Sequence, residues 1–181
     1  MHGFSHDLIY GAGFTIVGFA GGIFDARKSH SIPNWLTFPA MLAGLVTHGV
    51  LDGWAGLASS GTAFGLLFLI MLPIILRRGM GMGDLKLLLA TSAFAGSEKF
   101  LWVLFFSALI ALVAGSAVAL CSGYLGTSLR NAIELFGHMT RKPFSPHPEL
   151  NIDNPDVPKF PFGIAVAFGC LVTVLYSGVI A

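Results

Sequence analysis

Apolar residues along this 181-residue chain gather in long runs rather than in stripes at helical or alternating spacing. Six runs cover approximately residues 4–24, 35–51, 55–76, 85–95, 100–122 and 160–180. A helix needs roughly 20 consecutive apolar residues to cross the hydrocarbon layer. The pattern therefore predicts an all-α, polytopic membrane protein with about six transmembrane helices in one domain, residues 1–181. The fourth run is short: from Asp84 to Ser97 a helix reaches about 21 Å against a hydrocarbon core of roughly 30 Å. It either spans with local thinning and snorkelling by Lys86 and Glu98, or is re-entrant. No Lys or Arg precedes the first run, unlike a cleaved signal peptide, so that run reads as a retained span.

Charge placement chooses between the two paths. If all six runs cross, Arg27, Lys28, Arg77, Arg78, Lys86, Arg130, Arg141, Lys142 and Lys159 share one side, and only Lys99 lies on the other. If the fourth does not cross, Arg130, Arg141, Lys142 and Lys159 change sides. Basic loops stay in the cytoplasm, so six crossings of the cell inner membrane are expected, with both termini outside. The one long polar connection, a cytoplasmic loop at about 123–158, places Leu129, Ile133, Phe136 and Met139 at helical spacing over 127–140. This predicts an amphipathic helix on the membrane face. Pro143, Pro146, Pro148, Pro155 and Pro158 then predict an extended, irregular stretch. Gly18 and Gly22, and the stripe Ala111, Gly115, Ala119 and Gly123, are spaced for close helix contacts.

Composition narrows the class further. The chain is 55% hydrophobic and 10% charged, where soluble domains carry about 25% charged residues. A net charge of +1 supplies no basic face for nucleic acid. Cys121 and Cys170 are isolated within apolar runs and read as small packing residues, with no zinc site or disulfide. The six histidines suggest no metal site: His2 and His6 lie near the terminus, His30 is in the first loop, and no His-Glu-x-x-His occurs.

Two acidic residues stand out against this background. Asp25 follows Phe24 at the cytoplasmic end of the first run, and Asp84 follows Gly83 at the same end of the fourth. A carboxylate at a membrane boundary is costly unless it meets water or a partner. Two of them in reach of each other share a proton, so one can act as base while the other acts as acid. Taken alone, Asp25 could be an interfacial charge beside Arg27, and Asp84 a helix N-cap. Asp84, however, ends Gly79-Met80-Gly81-Met82-Gly83, where glycine permits unusual backbone angles and close approach of another backbone. A dinucleotide fingerprint fails, because its third glycine would fall on Asp84.

Three segments resemble the type IV prepilin peptidases, membrane aspartic proteases of the Gly-x-Gly-Asp group. They are Asp25 through Ile32-Pro33-Asn34 to Thr37, then Gly81-Met82-Gly83-Asp84-Leu85-Lys86, and finally Phe160-Pro161-Phe162-Gly163. The resemblance implies that Asp25 and Asp84 are the catalytic pair and that pilin-like precursors are the substrate, cut at the cytoplasmic face. It implies no cofactor and no metal. Pro33 and Asn34 would shape the first loop; Gly81 and Gly83 would support Asp84. Lys86 would orient the leader or the aspartate, or contact lipid phosphate. The chain lacks the methyltransferase domain and its cysteine pairs, so it resembles the short branch serving tight-adherence pili or archaeal preflagellins, without N-methylation. An intramembrane protease of the presenilin type is disfavoured by the lack of Tyr-Asp and Pro-Ala-Leu motifs. A small proton-coupled transporter or an inert assembly partner are the alternatives outside enzymes. The particular precursor and the oligomeric state stay open.

Overall fold

The computed structural model describes residues 2–27, 32–141, 145, 147–150 and 161–180. Among these are five helices and no strand: α1 (His2–Asp25), α2 (Asn34–Leu76), α3 (Met82–Cys121), α4 (Leu125–Arg141) and α5 (Phe162–Ile180). Lys28, His30, Lys142, Pro143, Pro146, Pro155, Pro158, Lys159 and Phe160, used above, lie outside the described residues.

With 43 and 40 residues, α2 and α3 would each extend roughly 60–65 Å if straight, twice the hydrocarbon core. Neither is straight. Gly53 (φ 61°, ψ −141°) and Gly96 (φ 67°, ψ 178°) are non-helical residues inside them, in a region open at low cost only to glycine. The chain reverses at both. Lys86 bonds Asn34 and a side chain at Gly44 would collide with Ala93, while Ser60 also bonds Ala93. Residues 34–52 therefore run parallel to 82–95, and residues 54–76 run back. Ser107 lies against Gly169, and Trp102 packs on Tyr176 at 4.7 Å, so residues 97–121 run antiparallel to α5. The two breaks fall in the gaps between the second and third apolar runs and between the fourth and fifth. Three helices, His6–Asp25, Asn34–Leu76 and Met82–Cys121, are long and apolar enough to cross a membrane.

The short fourth run is the centre of the molecule. Leu87, Leu88, Leu89, Ala90, Thr91, Ser92, Ala93 and Phe94 are all buried, with α1 on one side and both arms of α2 on others. The outward faces carry bare apolar side chains, among them Ile16, Leu42, Val50, Trp54, Leu69 and Leu112. Exposed apolar surface of this extent fits lipid as the solvent. Glycines set the close approaches: Gly18 meets Cys170 and Ala167, and Gly22 meets the Gly163 carbonyl, as their spacing predicts. The second stripe behaves differently. Gly115 and Gly123 face open space, and Gly123 (φ 73°) instead ends α3 in the left-handed conformation. Four-residue spacing of small residues is thus a packing face in α1 but not in α3 of this chain.

Breaking a helix frees carbonyls and N–H groups that must find partners. At Gly96 the partners come from α2. Ser60 Oγ donates to the Ala93 carbonyl (2.6 Å), His48 Nε2 to the Phe94 carbonyl (3.0 Å), and the Ser97 N–H donates to Ser59 Oγ (3.0 Å). A carbonyl only accepts, so the His48 proton sits on Nε2. His48→Leu leaves the Phe94 carbonyl unpaired and removes the stack on Tyr10 (3.8 Å between centroids). A loss of about 1–3 kcal/mol is expected, read as a lower unfolding midpoint in detergent, whereas Ser97→Ala at the exposed edge changes it little.

The 127–140 helix exists as α4, touching α3 alone among the described helices. Its Leu129, Ile133 and Phe136 are exposed, and the side chain of Met139 lies outside the described residues. Part of the proline-rich stretch returns to it: His147 is buried beside His138 (4.9 Å between rings), 3.5 Å from Glu134.

Candidate active site

Asp25 is the last residue of α1 and is buried, 4% exposed. Such a carboxylate requires hydrogen-bond donors, and one comes from the first turn of α5: the Gly163 N–H donates to Oδ2 at 2.7 Å. Asp84, half-buried, sits in the first turn of α3, where the free N–H groups and helix dipole favour an acidic side chain. The side-chain position of Gly21 abuts Leu87, and that of Gly13 abuts Phe94, so α1 and the first arm of α3 are antiparallel neighbours. Asp25 is one turn beyond Gly21, and Asp84 one turn before Leu87. The fold thus carries both aspartates to the same end of one contacting helix pair, 59 positions apart in sequence.

The supporting residues surround that end. Pro33, in extended conformation (φ −73°, ψ 143°), precedes α2, and its carbonyl accepts the N–H of Leu36 at 3.1 Å. Gly81 plays the same part before α3 (φ −68°, ψ 142°), accepting the Leu85 N–H at 3.2 Å. A side chain at Gly83 would meet Ile32 at ordinary contact distance, 3.5 Å. The expectation of unusual angles in this glycine run is corrected: Gly79, Gly81 and Gly83 have no left-handed φ, and the left-handed residue of the turn is Arg78 (φ 54°). Here the helix start needs only extended backbone at Gly81.

Lys86 is two residues beyond Asp84, and side chains at that spacing leave a helix on different faces. Its Nζ donates to Asn34 Oδ1 at 2.8 Å and lies 5.5 Å from the centre of the Phe38 ring. Lys86 and Asn34 together tie the start of α3 to the start of α2. Arg27, stacked over Phe24 at 4.7 Å, and the Phe24–Trp35 edge contact at 5.5 Å complete the rim.

The opposite end holds a polar cluster that the sequence reading missed. Asp52, beside the Gly53 break, accepts from His6 Nδ1 (2.8 Å) and from the Tyr10 hydroxyl. Lys99, beside the Gly96 break, pairs with Asp7 at 2.5 Å. These groups line a cavity of about 340 Å³ with His48, Ser59 and Glu98. The bonds fasten α1 to both chain reversals, so His6 is an anchored residue rather than a frayed one. The available signal was the four-residue spacing of His6 and Tyr10 on one helix face. No group of three potential metal ligands occurs among the described residues.

No curated protein and no solved structure matches the chain. The model of one family, described as the type IV leader peptidase family, matches residues 12–116. That stretch is more than half of the chain and spans α1 from Ala12, all of α2 and most of α3, both aspartates included. The chain belongs to the type IV leader peptidase family.

Proposed function

We propose that this protein is an aspartic endopeptidase that removes the basic leader of pilin-like precursors at the cytoplasmic face of the inner membrane, with Asp25 and Asp84 as its catalytic pair. Membership of a leader peptidase family implies a peptidase in general. The observation that carries the finer reading is the placement of both aspartates at one end of the contacting α1–α3 pair, inside the matched stretch. That end also gathers Arg27, Arg77, Arg78 and Lys86, which under the positive-inside rule faces the cytoplasm. The six rods (α1, the four arms of α2 and α3, and α5), alternating in direction along the chain, then serve as six spans, with both termini outside.

In this mechanism one aspartate, ionised, takes a proton from water as the water oxygen bonds to the scissile carbonyl carbon. The other, protonated, donates to the carbonyl oxygen. Collapse of the tetrahedral intermediate breaks the C–N bond, and the departing amine takes a proton from the pair. The precursor's hydrophobic helix lies in the bilayer and its leader in the cytoplasm. The released N-terminus is not methylated, and neither cofactor nor metal takes part.

Co-expression with a pilin-like precursor tests the reading by size shift. Cleavage by the wild type, and none by Asp25→Asn or Asp84→Asn, is the expected result. Cleavage by all three removes the catalytic assignment and leaves the ion-transporting or assembly readings.

A further inference from the structure

Gly163 lies outside the family match, at the second position of α5, yet its N–H bonds an aspartate of the proposed pair. Its N–H is among the first N–H groups of the helix, which have no carbonyl of their own helix to meet. That N–H points at a carboxylate oxygen of buried Asp25, 2.7 Å away. The approach requires two glycines. A side chain at Gly22 would meet the Gly163 carbonyl oxygen at 2.9 Å, so α1 and α5 touch there backbone to backbone. A side chain at Gly163 would meet Asp25 Cβ at 2.8 Å and Oδ2 at 3.1 Å. Real Cβ atoms do not come within 2.8 Å of another non-bonded carbon, so Asp25 itself would have to move.

We infer that Gly163 is a positioning residue for the proposed cleavage: its N–H fixes Asp25 Oδ2, so that Oδ1 is the oxygen that exchanges protons with water and Asp84. The inference rests on the peptidase reading above. Its chemical basis is valence. An N–H can only donate, so Oδ2 accepts there, and because a bare carboxyl oxygen accepts better than a hydroxyl oxygen, the bond favours Oδ1 as the carrier of the proton shared by the pair. The start of a 19-residue helix adds the favourable end of its dipole to the same oxygen. Rotation of the Asp25 carboxylate is thereby stopped in one orientation. General acid–base catalysis by a pair depends on such orientation, and misplacement by about 1 Å can cost about 100-fold in rate.

The test reconstitutes the full chain in liposomes with a precursor carrying a Lys/Arg leader before an apolar helix. Gly163→Ala is compared with Gly18→Ala, which burdens the same α1–α5 contact against Cys170 and Ala167 but away from Asp25. Gly163→Ala is expected to lower kcat about 100-fold with KM within about twofold of wild type, and Gly18→Ala to leave kcat within about threefold. A Gly163→Ala protein with wild-type kcat, or one changed in KM alone, overturns the inference. An equal fall in both variants reduces Gly163 to a packing residue and overturns it too. Absence of cleavage by the wild type, or cleavage by Asp25→Asn, is instead the failure of the peptidase reading, and the inference falls with it. An activity-independent measurement accompanies the kinetics. With ¹⁵N-glycine labelling, the Gly163 amide should exchange about tenfold faster in Asp25→Leu than in wild type. Asp25→Asn, whose amide oxygen can still accept, should restore slow exchange. Equal exchange in all three removes the hydrogen bond on which the inference stands.

Discussion

Asp25→Asn and Asp84→Asn proteins, each present in the membrane at wild-type levels, should lose precursor cleavage by roughly 10⁴-fold or more. The double variant should lose no more than either single one. This non-additivity is the distinctive part of the expectation. A proton shared between two carboxylates is a property of the pair, and removing either partner removes both the base and the acid of the cycle. Asparagine retains the shape and accepts a hydrogen bond, so the Gly163 N–H keeps a partner at position 25 and the fold keeps its α1–α5 contact. Single-turnover cleavage in liposomes measures the effect. Residual activity above about 1% in a folded Asp25→Asn protein contradicts a two-aspartate mechanism, and additive losses in the double variant contradict a coupled pair.

Gly44→Ala should be strongly destabilising for a single added methyl group, at about 3 kcal/mol. The added carbon would lie 2.7 Å from the Ala93 carbonyl carbon and 2.9 Å from the Phe94 nitrogen. Both are backbone atoms of the buried arm of α3, so no rotamer change relieves the clash and the arm itself must shift. Gly21→Ala is the intermediate case, because its obstacle is the tip of the Leu87 side chain, which can turn. Gly61→Ala and Gly65→Ala face open space in α2 and should be neutral or stabilising by up to about 1 kcal/mol through helix propensity. Unfolding midpoints in one detergent give the order, Gly44 far below Gly21, and Gly61 and Gly65 at or above wild type. Equal midpoints at Gly44 and Gly61 would mean that the helices do not approach as described. The reason for so steep a series is the solvent. In lipid, apolar burial supplies little drive for association, and close backbone contact through small residues does much of the holding.

Much of the architecture was legible beforehand. The length of each apolar run located the helices, and the short gaps between runs located the two chain reversals, though not the glycines that make them, because a span length and a break are local properties encoded within some twenty residues. The amphipathic pattern of 127–140 located α4 for the same reason. Asp25 and Asp84 were conspicuous as acidic residues at the ends of apolar runs, and the motifs around them led to the family that the comparison then showed. Other features were out of reach. Lys86 had three possible roles as read along the chain, and its bond to Asn34 across 52 positions is visible only in the fold. His6 looked peripheral until Asp52 was found 46 positions away.

What the sequence alone determined, then, is where helices begin and end, and which boundary carries the two aspartates. Tertiary structure decided which helices touch: that the shortest run forms the core, that Gly22 rather than Gly115 makes a backbone contact, and that Gly163 reaches Asp25. In a water-soluble helix the buried face differs from the exposed one in polarity, so periodicity reveals it. In a lipid-embedded helix both faces are apolar, the contrast disappears, and only the fit of one surface against another selects the partner.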